Sequence, residues 1–213
     1  MPADSQKGRA SGPFDVRSVQ MQRVVDYYMA PSSPWTFLGH ARFGEIARRH
    51  GATVRVKPVD YGVIFPQSGG LPVAKRAPQR QAYRLVELKR WGAQLGVPIT
   101  IQPRHFPVDA KPASCLILGA PEALRFALAG ALLAALWTEE ADIADPGTLA
   151  RIAARHGVDD AAAAQKAGAP VFSAMTEEAL ARGVFGAPTY VIQDELFWGQ
   201  DRLEFVDQAL ARG

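Results

Sequence analysis

Two hydrophobic periods alternate along this chain. Val24, Val25, Tyr27 and Tyr28 make a strand-prone run over Val24–Met29. Pro31 and Pro34 end it. Pro34 suits the first position of a helix, where a missing N–H costs nothing, and this makes Ser33 the N-cap. From there Trp35, Gly39, Phe43, Ile46 and Ala47 share one face of a helix over 34–50. Arg42, Glu45, Arg48 and Arg49 share the other, and Gly51 closes the helix. A second strand follows over 53–59.

The pattern then changes. From about 61 to 175 the chain is rich in Ala, Leu and Arg, with helix starts and stops and few strand signals. Residues 80–95 read as one helix, and Asp145-Pro146 is an N-cap and first-turn proline for another. FPQSGGLP and TIQPRHFPVDAKP read as loops. The apolar run LRFALAGALLAALW, 124–137, is too short for a membrane span and predicts a helix buried in protein. Strand character returns at Thr189–Ile192 and 196–198, with Gln193-Asp194-Glu195 as the hairpin turn. A last helix over 201–210 turns Leu203, Val206 and Leu210 inward.

A strand–helix–strand unit and a strand–strand–helix unit thus flank a helical insert, and neither is a complete core alone. The economical architecture is α/β, one mixed sheet whose two halves, 23–61 and 176–213, enclose a helical domain at 62–175. Residues 1–22 are polar, have no apolar stretch, and read as a disordered tail.

Composition narrows the function. A net charge of +3, spread along 213 residues, implies no nucleic-acid partner, and nothing points to a membrane. The single cysteine, Cys115 in SCLILG, excludes an internal disulfide or a Cys-x-x-Cys pair and suggests a reducing compartment, the cytoplasm. His50 and His156 precede glycines at helix ends, His40 lies inside the first helix, and His105 sits beside Arg104 in a surface loop. No two are spaced as a metal pair, so no metal is expected. Arg76, Arg80 and Arg84 recur every fourth residue, the spacing of a solvated basic face. Locally, Ser33 needs no role beyond a cap of about 1 kcal/mol.

Three stretches change that reading. DYYMAPSSPWTFLG, GVFGAPTYV and ELFWGQDRLEF together resemble the thioredoxin fold of the DsbA and kappa-class glutathione transferase type, and within it the 2-hydroxychromene-2-carboxylate isomerase family. The resemblance covers essentially everything from Arg23 onward. It implies a thioredoxin-like mixed sheet with a large all-helical insertion and an active site between the two. Where dithiol oxidoreductases carry Cys-x-x-Cys, this chain reads Ser33-Pro34-Trp35-Thr36, so dithiol redox chemistry is unavailable.

By the same resemblance, Ser33 contacts the sulfur of bound glutathione, with Pro34 and Trp35 beside it. A serine hydroxyl is too weak an acid to attack unaided, but it can donate to a thiolate that a helix N-terminus also favours. Pro188 is implied to be cis, with Ala187 pairing through its backbone to the peptide part of the thiol. Gln200, Asp201 and Arg202 hold the γ-glutamyl end, Asp201 taking the ammonium and Arg202 or the helix end the carboxylate. Arg80 stands near a lysine of the kappa-class relatives. Gly70 falls where those relatives carry a glutathione-contacting asparagine.

The function implied is a glutathione-dependent isomerase of anionic aromatic degradation intermediates, in a possible homodimer. Thiolate addition, bond rotation and elimination return the glutathione. A kappa-like transferase would instead release a thioether, and a non-catalytic thioredoxin-like binding module would have no saturable glutathione site. The coexistence of Ser33-Pro34, Ala187-Pro188 and Asp201-Arg202 favours an enzyme.

Overall fold

The computed structural model describes residues 23–212, so the expected tail lies outside the described residues. Strand β1 (Val24–Met29), helix α1 (Pro34–Arg49) and strand β2 (Thr53–Pro58) open the fold. Six helices follow: α2 (Tyr61–Ser68), α3 (Pro78–Leu95), α4 (Lys111–Gly119), α5 (Glu122–Trp137), α6 (Pro146–Arg155) and α7 (Ala161–Ala181). Strands β3 (Thr189–Ile192) and β4 (Glu195–Trp198), a 3-10 turn over Gln200–Arg202 and helix α8 (Leu203–Arg212) close it. Aspartates start several of the helices. Asp60, Asp145 and Asp160 accept from the amides of Gly62 (2.7 Å), Thr148 (2.7 Å) and Ala163 (2.9 Å).

The sheet order is β2-β1-β3-β4. β1 runs parallel to β2, with Val24 opposite Thr53, and antiparallel to β3, with Tyr28 opposite Thr189. Alternation along β1 sends Val25, Tyr27 and Met29 into the larger core. There they meet Phe43 of α1, Leu128 and Leu132 of α5, and Leu203 and Val206 of α8. Tyr28 faces the opposite side, against Ile64 of α2 and Ala179 of α7. Asp26 is buried on that strand and pairs with Lys57 of β2 at 3.0 Å and Arg182 after α7 at 3.4 Å. Lys57 also pairs with Glu178 of α7 at 2.6 Å, which fastens α7 to the sheet.

The apolar run is the buried helix α5, with Trp137 fully enclosed. Among the described residues, no helix is long and apolar enough to cross a membrane. Helices α4 and α7 touch backbone to backbone. A Cβ on Gly119 would sit 1.8 Å from the Ala164 carbonyl oxygen, and one on Gly168 would sit 1.9 Å from that of Cys115.

Three boundaries differ from expectation. FPQS belongs to α2, because Asp60 caps the helix and Pro66, near its end, forfeits only one intrahelical bond. The hairpin turn is Gln193-Asp194 alone, with Gln193 at φ 56 and Glu195 already in β4. The last α-helix begins at Leu203, since residues 200–202 form the tighter 3-10 turn.

Candidate active site

Ser33 is the N-cap of α1, with φ −83 and ψ 122. Its amide donates to the Ala30 carbonyl at 3.0 Å across Pro31-Ser32, and its carbonyl accepts from the Phe37 amide at 3.0 Å. Its Oγ accepts from the Thr36 amide at 3.2 Å. No described residue takes the hydroxyl proton, so Ser33 keeps a donor for a ligand. Thr36, at the position of a second thiol, is fully buried with an unpartnered Oγ1 and offers nothing to the surface.

The Ala187–Pro188 bond is cis, as is Phe106–Pro107. The loop before β3 is held from both sides. The Gly186 carbonyl accepts from the Tyr61 hydroxyl at 2.9 Å and the Thr189 hydroxyl at 2.7 Å, and the Pro188 carbonyl accepts from the Gly199 amide at 2.9 Å. Neither backbone group of Ala187 is engaged by another described residue. Residue 186 must be glycine, because a Cβ there would lie 2.3 Å from the Trp198 indole nitrogen.

Gln200 is buried. Arg42 of α1 donates to its carbonyl oxygen and, at 3.1 Å, to its Oε1. Gly39 admits it, since a Cβ there would come within 2.8 Å of the Gln200 Cβ. Arg42, expected on the solvent face, is therefore the brace of the 200–202 turn, and the Gln200 amide oxygen is committed to that brace. Asp201 and Arg202 are exposed and pair with each other at 2.7 Å.

These parts surround two adjoining cavities of about 550 and 580 Å³, within the range of small-molecule sites. Trp35, Arg76, Arg80, Arg84, Ala187 and Trp198 line both. The first reaches Gln200, Asp201 and Arg202. The second holds Ser33 and Pro34 under aromatic walls of Tyr61, Phe65, Phe106 and Phe185. The structure thus brings the expected site residues together along one continuous cleft, except Pro188, which lines neither cavity. The aromatic walls were not singled out from sequence, since they come from three separate segments, α2 and the loops holding Phe106 and Phe185.

The arginine line is not a uniform solvated face. Arg80 is exposed, and Arg76 is half-buried with Nε donating to the Leu71 carbonyl at 2.8 Å. Arg84 is only 8% exposed, with its guanidinium 5.0 Å over the Phe106 ring and 5.9 Å from that of Trp137. Burial first, and then Arg76, pull its pKa down to about 10, so it remains a cation at neutral pH.

Gly70 lines the Ser33 cavity, and the space for a side chain there is taken by Phe65, whose ring would lie 2.4 Å from a Cβ. None of the four histidines lines either cavity. His40 is buried, with Nε2–H donating to the Phe126 carbonyl and Nδ1 accepting from the Tyr27 hydroxyl, both at 3.2 Å. Among the described residues no cluster could hold a metal ion.

Known proteins are similar to this chain in sequence and fold. The model of the DSBA-like thioredoxin domain matches residues 24–211. The 2-hydroxychromene-2-carboxylate isomerase of Sphingobium xenophagum is 28% identical over 195 residues, covering 89% of this chain and 99% of that protein. The protein of the same name from Pseudomonas putida is 27% identical, covering 89% and 95%. A solved 2-hydroxychromene-2-carboxylate isomerase superposes with a TM-score of 0.78 at 25% identity, over 89% of this chain and 95% of its own. The cytosolic disulfide reductase DsbM of Pseudomonas aeruginosa, solved with GSH, shares the fold at a TM-score of 0.64 and 19% identity, over 89% and 96%. The interrupted sheet, the helical insert and the match from strand β1 to helix α8 agree: this chain belongs to the DSBA-like thioredoxin domain family.

Proposed function

We propose that this chain is a glutathione-dependent isomerase acting on 2-hydroxychromene-2-carboxylate or a close relative among aromatic degradation intermediates, in the cytoplasm. The observation that carries the reading is the joint cleft. A free serine hydroxyl at a helix N-terminus opens into an aromatic-walled cavity, which adjoins a second one ending at an exposed Asp–Arg pair. The names of the relatives support the same chemistry.

The residues present fit the tripeptide. Asp201 and Arg202 offer opposite charges to an α-amino acid end, and their exposed mutual pair, worth at most about 1 kcal/mol, opens at little cost. Ala187 offers an unengaged N–H and C=O to a peptide unit. When bound, glutathione supplies a thiol whose reversible addition to a conjugated double bond leaves a single bond free to rotate. Ser33 donates its hydroxyl proton in a hydrogen bond to the sulfur anion, and the first amides of α1 add their partial positive charge. Trp35, Phe106 and Phe185 exclude water from the planar substrate.

The test compares wild type with Ser33→Ala. Isomerisation of 2-hydroxychromene-2-carboxylate is measured with and without glutathione, and free thiol is titrated afterwards. Turnover should require glutathione, return all of it, and fall at least about a hundredfold in the variant, as for removal of a donor to a developing anion. The fold should lose only about 1 kcal/mol for the cap. Thiol consumed in step with substrate would mean a transferase. Near-wild-type turnover in Ser33→Ala would remove Ser33 from the chemistry.

A further inference from the structure

We propose that Arg84 is the carboxylate receptor of the aromatic-walled cavity and selects planar aromatic acids over their neutral analogues. The inference rests on the isomerase reading for the identity of the cavity, but its physical basis is independent. Arg84 is more than nine-tenths buried, makes no hydrogen bond or ion pair with any described residue, and leaves Nη2 enclosed without a partner. A buried cation in that condition is costly to a fold, and such groups are normally paired. No acid among the described residues pairs with it. Its charged neighbours are Arg76, just ahead of α3, and Arg80 within it, both of like sign, and Glu87, one turn on, is held by Arg90 at 2.8 Å.

The geometry also fixes which part of Arg84 is offered. The Phe106 and Trp137 rings beside it offer no oxygen to its N–H groups, so the part of the guanidinium that lines the cavities is left for a ligand. An N–H there makes a charge-assisted hydrogen bond to a carboxylate oxygen. Phe106, beside which the guanidinium lies, lines the Ser33 cavity and not the one that reaches Asp201. A flat acid whose ring lies among Phe106, Tyr61 and Phe185 brings its carboxylate to Arg84. The tripeptide has its own charged partners at the far end, Asp201 and Arg202.

The competing source of a carboxylate is glutathione itself, and calorimetric titration separates the two. Trans-2-hydroxycinnamate, its primary amide and glutathione are each titrated into the full chain, as wild type, Arg84→Met and Arg84→Gln. Wild type should bind the acid at least about tenfold more tightly than the amide. Both variants should lose that preference and keep glutathione affinity within about twofold. If Arg84→Met fails to fold, Arg84→Gln, which keeps length and polarity without charge, decides the matter. Retained preference for the acid in a folded variant would overturn the proposal, as would a wild type indifferent between acid and amide. Loss of glutathione affinity in parallel would assign Arg84 to the cofactor and overturn it too. The acid and amide titrations contain no glutathione, so a wild type that binds no glutathione would sink the isomerase reading and leave the Arg84 result standing.

Discussion

His40 sets a stability limit that no active-site residue shares. Its ring is stacked on Phe126 at 4.1 Å between centroids, and the neutral Nε2–H tautomer satisfies both nitrogens. Burial lowers its pKa from 6.5 to about 4, only partly offset by the Phe126 carbonyl. Below pH 6.5 the unfolded chain takes up a proton that the folded chain refuses, so stability falls with pH until the folded group titrates near 4. The slope should be about 1.4 kcal/mol per pH unit across that window, roughly 3 kcal/mol in all. His40→Gln keeps a donor and an acceptor but cannot titrate. Thermal melts from pH 7 to 4.5 should show a shallower loss in the variant, and equal slopes would assign the acid sensitivity to other groups. Gly130 belongs to the same feature, since a Cβ there would lie 2.9 Å from His40 Nε2.

Helices α4 and α7 make the least forgiving contact of the fold. Gly168→Ala would drive a methyl into the Cys115 carbonyl, which is backbone and cannot swing aside. Overpacking of this kind typically costs about 1–3 kcal/mol, and a denaturant midpoint unchanged from wild type would contradict the contact. At the other end of the chain, the 200–202 turn should behave as a binding element. Asp201→Ala is expected to raise the KM for glutathione about tenfold with kcat nearly unchanged, because the contact is the same in ground and transition states. Unaltered affinity in a glutathione titration would take Asp201 out of the site.

The elements themselves were readable from local signals. The run of strand formers at β1, the Ser33-Pro34 start of α1 and the Asp145-Pro146 start of α6 need no tertiary context. The Gly119–Gly168 approach was not readable, since it depends on how two distant helices align. Arg42 was misplaced for a similar reason. Its position on the polar face of α1 is correct, but Gln200 arrives there from the end of the chain.

At the scale of the whole molecule, the Ser33, Ala187–Pro188 and Asp201–Arg202 stretches could be listed from sequence because each is a short contiguous motif. The cleft that joins them could not. Arg84 turns from a surface charge into a cavity floor only because Phe106 reaches across it from the loop ahead of α4. The two cavities adjoin along one wall of six residues, so an occupant of one lies beside an occupant of the other. A single molecule carrying the tripeptide and an aryl acid through one sulfur would fill both chambers at once. Tethering makes the second contact intramolecular, which commonly raises avidity by about 10²–10⁴ over either half. An S-aryl glutathione bearing a carboxylate should therefore displace glutathione far below the latter's own dissociation constant, and competition by calorimetry measures this directly. The consequence reaches catalysis. On the proposed reading, a cleft that grips the joined species too tightly would slow the elimination that returns glutathione.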